Sequence, residues 1–104
     1  MNALAGFRFA SLGSGSEGNA LVAEVSEGAS LTRVMIDCGF GLRECERRLQ
    51  RLGLTPASLA GVLVTHEHGD HIGGVERLAR KHGVAVWMTY GTYVASTVGG
   101  PGPF

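Results

Sequence analysis

The run Thr-His-Glu-His-Gly-Asp-His at residues 65–71 places His66, His68, Asp70 and His71 inside six residues. Imidazole nitrogens mixed with a carboxylate oxygen suit zinc best, and manganese or iron are tolerated by the same donors. If the backbone is still extended at His66 and His68, the period of two sends both rings to one side, where they can share one ion. Asp70 and His71 then lie just past a turn and can reach a second ion about 3.5–4 Å from the first, the separation used in two-metal hydrolytic sites. Glu67 faces away from the ligands in such a backbone and is left outside the set. Any one of these histidines alone would more often be a surface or core residue; their density points to a metal site.

The elements around this run are those that could hold it in place. An apolar stretch over 61–65 reads as a strand leading into the histidines, and "VERLARKHG" reads as a helix ending at Gly83. Upstream, Phe7, Phe9 and Leu12 mark one strand, 20–26 a second, and Val34, Met35 and Ile36 a third that stops at Asp37 and Gly39. Leu42, Cys45, Leu49 and Leu52 recur at steps of three and four, which predicts an amphipathic helix closed by Gly53. The arginines on its other faces alternate with Glu44 and Glu46, as on a solvated face rather than a nucleic-acid stripe. "VAVWMTY" follows as a strand, then a short helical stretch over 92–97, before "GGPGPF", which favours no regular element.

The chain of 104 residues is the size of about one domain, read as 1–104. Nine basic and nine acidic side chains cancel, so nothing in the net charge demands a polyanionic partner. The first residues show neither a signal peptide nor a membrane span, which makes the cytoplasm the expected compartment. Cys38 and Cys45 are too far apart for a C-x-x-C pair and too few for a disulfide framework, and read as buried thiols. His82, at a helix C-terminus, reads as a solvated cap.

Gly13, Gly15 and Gly18 spell G-x-G-x-x-G, the pattern of a dinucleotide-binding loop. That fingerprint needs a helix after the third glycine. "NALVAEVS" follows instead, and it suits a strand. The loop is therefore expected to join two strands, with Ser14, Ser16 and Asn19 as candidate donors on a substrate rim. Tyr90, Thr92 and Tyr93 could line the substrate side or pack the short helix.

"THEHGDH" resembles the H-x-H-x-D-H signature of the metallo-β-lactamase fold superfamily, and "VMIDCG" is similar to its earlier strand-end aspartate motif. "LGSGSEGN" followed by "IDCG" and "THEHGDHIGG" resembles, within it, the WalJ (YycJ) type of cytoplasmic hydrolase, whose reported role is as a DNA exonuclease. The resemblance implies an α+β fold, the N-terminal half of a four-layer αββα sandwich with a mostly antiparallel sheet and outer helices. By position it implies that His66 and His68 bind one metal and Asp70 and His71 the other. The nucleophile would be a hydroxide between two divalent ions, zinc foremost, and Asp37 would orient the metal loop through hydrogen bonds without touching metal.

The family pattern also takes a further histidine, a bridging aspartate and a last histidine from downstream. After His71 this sequence has His82 alone and no aspartate. The resemblance thus implies an incomplete site that a C-terminal half or a partner chain completes, with an apolar sheet face left open to self-association. The expected function is hydrolysis of phosphodiesters in nucleic acid, with no membrane partner. The alternatives are hydrolysis of a small phosphodiester, thioester or lactone, or a non-catalytic metal-binding or interaction module.

Overall fold

Residues 5–96 are described in a computed structural model of the chain. Strands β1 (Ala5–Gly13), β2 (Ala20–Glu27), β3 (Ser30–Ile36), β4 (Gly61–Leu63) and β5 (Val86–Trp87) form one sheet in that order. The first three make an antiparallel meander, and β3, β4 and β5 are parallel to one another. Antiparallel neighbours need only a turn, whereas parallel neighbours need a crossover. Here α1 (Leu42–Arg51) makes the first crossover, and α2 (Gly69–Ile72) with α3 (Val75–His82) makes the second. The expected antiparallel character thus belongs to the long pairings, and the two short ones make the sheet mixed. A short α4 (Tyr90–Ser96) follows β5, starting two residues before the expected 92; Thr97 and the glycine-proline tail lie outside the described residues.

Alternation along the strands gives the sheet two faces. Val22, Met35, Val62 and Val86 stand side by side on one of them. They pack with Cys45 and Leu49 of α1 and Val75 and Leu78 of α3 into a single core. In α1, Glu44 lies in the first turn and Arg48 and Arg51 in the last, matching the helix dipole. Glu44 pairs with Arg47 and Arg48, so the arginine face is laced with ion pairs. Both cysteines are fully buried free thiols, and the facing Cys38 thiol together with burial pushes the Cys45 thiol far up from its ordinary value.

His82 departs from expectation. It does sit at the end of α3, but its Nε2 lies 2.7 Å from Glu46 Oε2 and Lys81 Nζ lies 2.9 Å from the same oxygen, so α3 is tied to α1. These two hydrogen bonds hold the Glu46 carboxyl below its ordinary range. Among the described residues no helix is long and apolar enough to cross a membrane.

Candidate metal centre

The histidine run leaves the carboxyl end of β4, and Asp37 leaves the carboxyl end of its parallel neighbour β3, where open α/β sheets collect functional groups. The Asp37 N–H donates to the Leu63 carbonyl at 2.8 Å, continuing the strand pairing by one residue. There the chain turns: Asp37 has φ 63°, the sole non-glycine residue with positive φ among those described. Aspartate tolerates this left-handed geometry at a cost of about 1–2 kcal/mol. The turn buries its carboxylate beneath Thr65. Oδ1 accepts the Thr65 N–H at 2.7 Å, and Oδ2 faces the Thr65 hydroxyl at 2.7 Å and His71 Nδ1 at 2.8 Å.

Backbone contacts then lock α2 onto the segment after Asp37. The Cys38 N–H donates to the His71 carbonyl at 2.8 Å, and the Gly74 N–H to the Cys38 carbonyl at 2.8 Å. The approach is so close that a Cβ on Gly39 would stand 2.0 Å from the Asp70 carbonyl oxygen. Only glycine fits there, which accounts for the "DCG" sequence.

The glycine loop joins β1 to β2, as its sequence predicts, and packs on Phe40, whose ring leaves no room for a side chain at Gly18. Ser14 and Ser16 are exposed. Asn19, expected as a rim donor, is turned inward. Its N–H donates to the Asp70 carbonyl at 2.7 Å, and its side-chain amide donates to the Gly15 carbonyl at 2.8 Å and reaches the Asp70 carbonyl and Oδ2 at 3.1 Å each. The loop's tie to the site is therefore to Asp70. Tyr90 is exposed, while Thr92 is buried and hydrogen-bonded to Thr89.

The four candidate ligands converge. The rings of His66 and His71 lie 3.8 Å apart between centroids, His66 and His68 meet edge-on at 4.9 Å, and Asp70 Oδ2 is 3.6 Å from His71 Nε2. The compact donor group among the described residues is Asp37, His66 and His71, whose ligand atoms fall within 4.8 Å of one another. It crosses the two pairs expected from spacing, because α2 folds His71 back over His66. The Asp37 oxygens already face the Thr65 N–H, the Thr65 hydroxyl and His71 Nδ1. With Nδ1 of His71 turned to a carboxylate, Nε2 is the nitrogen left to face an ion, the usual arrangement behind a metal-binding histidine. The donor set therefore fits divalent cations of the zinc type. Thr65 is the residue that sequence reading passed over; the signal was a hydroxyl immediately before the first histidine.

Comparison with known proteins agrees with this geometry. The Metallo-beta-lactamase superfamily pattern matches residues 16–104, and the chain belongs to that superfamily. It is 36% identical over 90 residues to the exodeoxyribonuclease WalJ of Streptococcus pneumoniae, covering 86% of this chain and 32% of that protein. It is 36% identical over 90 residues to the exodeoxyribonuclease YycJ of Bacillus anthracis, covering 86% of this chain and 33% of that one. The chain thus spans about a third of the length of the curated relatives it matches. In fold it is similar to MEM-A1, a subclass B3 metallo-beta-lactamase from a soil metagenome library, with a TM-score of 0.63 over 91% of this chain and 34% of that one at 23% identity.

Proposed function

We propose that the protein is a metal-dependent hydrolase of nucleic-acid phosphodiesters, an exonuclease of the kind its relatives are named for, working in the cytoplasm where DNA is at hand. The observation that carries this reading is the close pair His66 and His71, with ring centroids 3.8 Å apart and Asp37 hydrogen-bonded to His71. His66 and His68 hold one divalent ion and Asp70 and His71 the other, zinc before manganese or iron. Ions held there would polarise a phosphodiester and lower the pKa of water towards neutrality. The chain's own part is positional. Asn19 fixes Asp70, the catalytic carboxylate, on one side, and Asp37 keeps His71 from rotating away. Ser14 and Ser16, exposed on the glycine loop, contact the substrate's phosphate oxygens.

In this reading a C-terminal half of the fold, or a partner chain, brings the remaining ligands and covers the open sheet face. The test uses full-length protein purified without chelator. Elemental analysis is expected to find two divalent ions per chain, and the protein to degrade single-stranded DNA faster than a bis-ester phosphate or a thioester. His68→Ala should remove metal and turnover together. Absence of bound metal even after reconstitution, or unchanged hydrolysis in His68→Ala, overturns the proposal. Asp37→Asn should keep the fold and lower metal affinity or activity about 10–100-fold.

A further inference from the structure

Thr65 makes three contacts that together restrict where protons can be. Its backbone N–H donates to Asp37 Oδ1 at 2.7 Å, its hydroxyl lies 2.7 Å from Asp37 Oδ2, and the same hydroxyl lies 2.9 Å from His66 Nδ1. A hydroxyl has one proton to donate, and an ionised carboxylate can only accept. The Thr65 proton therefore goes to Asp37, and the hydroxyl oxygen must accept from His66, which puts a proton on Nδ1 of that ring. Neutral imidazole carries a single N–H, so Nε2 of His66 keeps its lone pair. His71 reaches the same state directly, through its Nδ1 at 2.8 Å from the same Asp37 oxygen.

We infer that Thr65 is a positioning residue whose hydroxyl relays the Asp37 carboxylate to His66, holding that ring with its proton on Nδ1 and leaving its Nε2 lone pair available to an ion. One buried carboxylate, 5% exposed, thereby sets two histidines, His71 by contact and His66 at one remove. Threonine suits the task better than serine because its branched Cβ restricts χ1 and keeps the hydroxyl on line. The role deepens the metal-dependent reading above and rests on it for its function, though the proton position does not need a bound ion.

The experiment is nitrogen NMR of the histidine rings in metal-free full-length protein at alkaline pH, with zinc affinity measured by competition against a chromophoric chelator. In the wild type, His66 is expected in the Nδ1–H form; Thr65→Ser keeps that form, and the near-isosteric Thr65→Val loses it. Zinc affinity should fall about 10–100-fold in Thr65→Val and stay close to wild type in Thr65→Ser. A wild-type His66 found as Nε2–H overturns the inference, and so does a Thr65→Val protein with unchanged tautomer and affinity. Equal losses in the serine and valine variants overturn it too, by assigning the effect to packing rather than to the hydroxyl. If Thr65→Val does not fold, the wild-type tautomer and the serine variant still decide. A wild type that binds no zinc yet shows Nδ1–H on His66 sinks the metal-dependent reading and leaves the proton relay standing.

Discussion

The two faces of the sheet are both apolar, and they meet opposite fates. On one, Val22, Met35 and Val62 are at most 4% exposed beneath α1 and α3. On the other, Phe7 and Phe9 of β1 are 65% and 67% exposed, Val25 of β2 is 51%, and Leu63 and Trp87 of β4 and β5 are 42% and 54%. Strands with one wet face alternate apolar with polar residues, whereas strands written apolar on both sides are buried on both sides. The pattern of β2, β3 and β4 is of the second kind. Exposed apolar surface of this kind is where interfaces form, and it lies on the sheet whose carboxyl end carries the candidate metal loop. A layer packed on this face would lie beside the candidate site.

That comparison breaks or holds on substitutions made in pairs. The largest effect is expected at Met35, fully buried at the centre of the covered face: Met35→Ala should cost about 2–5 kcal/mol in urea unfolding of the full-length protein. Leu63→Ala, its counterpart on the open face, should cost a similar amount there if a second layer covers it. A loss below about 0.5 kcal/mol, the scale of ordinary surface changes, would show that the face stays wet. A smaller effect is expected from Phe9→Ser combined with Trp87→Ser in residues 1–104 expressed alone. Light scattering should show concentration-dependent association of the parent and less of it in the double variant. Equal association in both would remove the open face as its cause.

Most of the frame was legible in the sequence because periodicity reports burial on one face. The run "VERLARKHG" announced α3, and the small and branched residues after Gly18 ruled out a dinucleotide loop. The candidate ligands were legible as a cluster, since residue type and spacing suffice to pick them out. What escaped was whatever depends on partners distant in the chain. The turn α2 has a glycine at its start and no local propensity, and it forms because Cys38, 33 residues before His71, holds that carbonyl. Asn19 looked like a free donor and is spent on Asp70, 51 residues away. Thr65 looked like the end of a strand, but β4 ends at Leu63 and the Asp37 carboxylate takes over its N–H.

The covered face has one buried acidic side chain, and it supplies the smallest predicted effect. Glu24 of β2 is 8% exposed, and its cross-strand neighbours are Arg8 and Arg33. Arg8 Nε and Arg33 Nε donate to its two oxygens at 2.8 Å each, so burial of the carboxylate is compensated on both sides. The Arg8 hydrogen bonds, foremost, and that of Arg33 hold the Glu24 carboxyl below its ordinary value of 4.5, against the opposing pull of burial. The sign follows from linkage. A carboxyl whose pKa is lower folded than unfolded contributes stability that is fully present above 4.5 and is lost as pH falls through the folded value. Wild type should therefore melt above Glu24→Gln at neutral pH, and the gap should close as the pH is lowered past 4.5. Arg8 is largely solvent-exposed, so salt screens its share, and the gap at neutral pH should narrow in added salt. A gap that persists unchanged into strong acid would mean that glutamine packs poorly in that row, and that the charge itself contributes nothing.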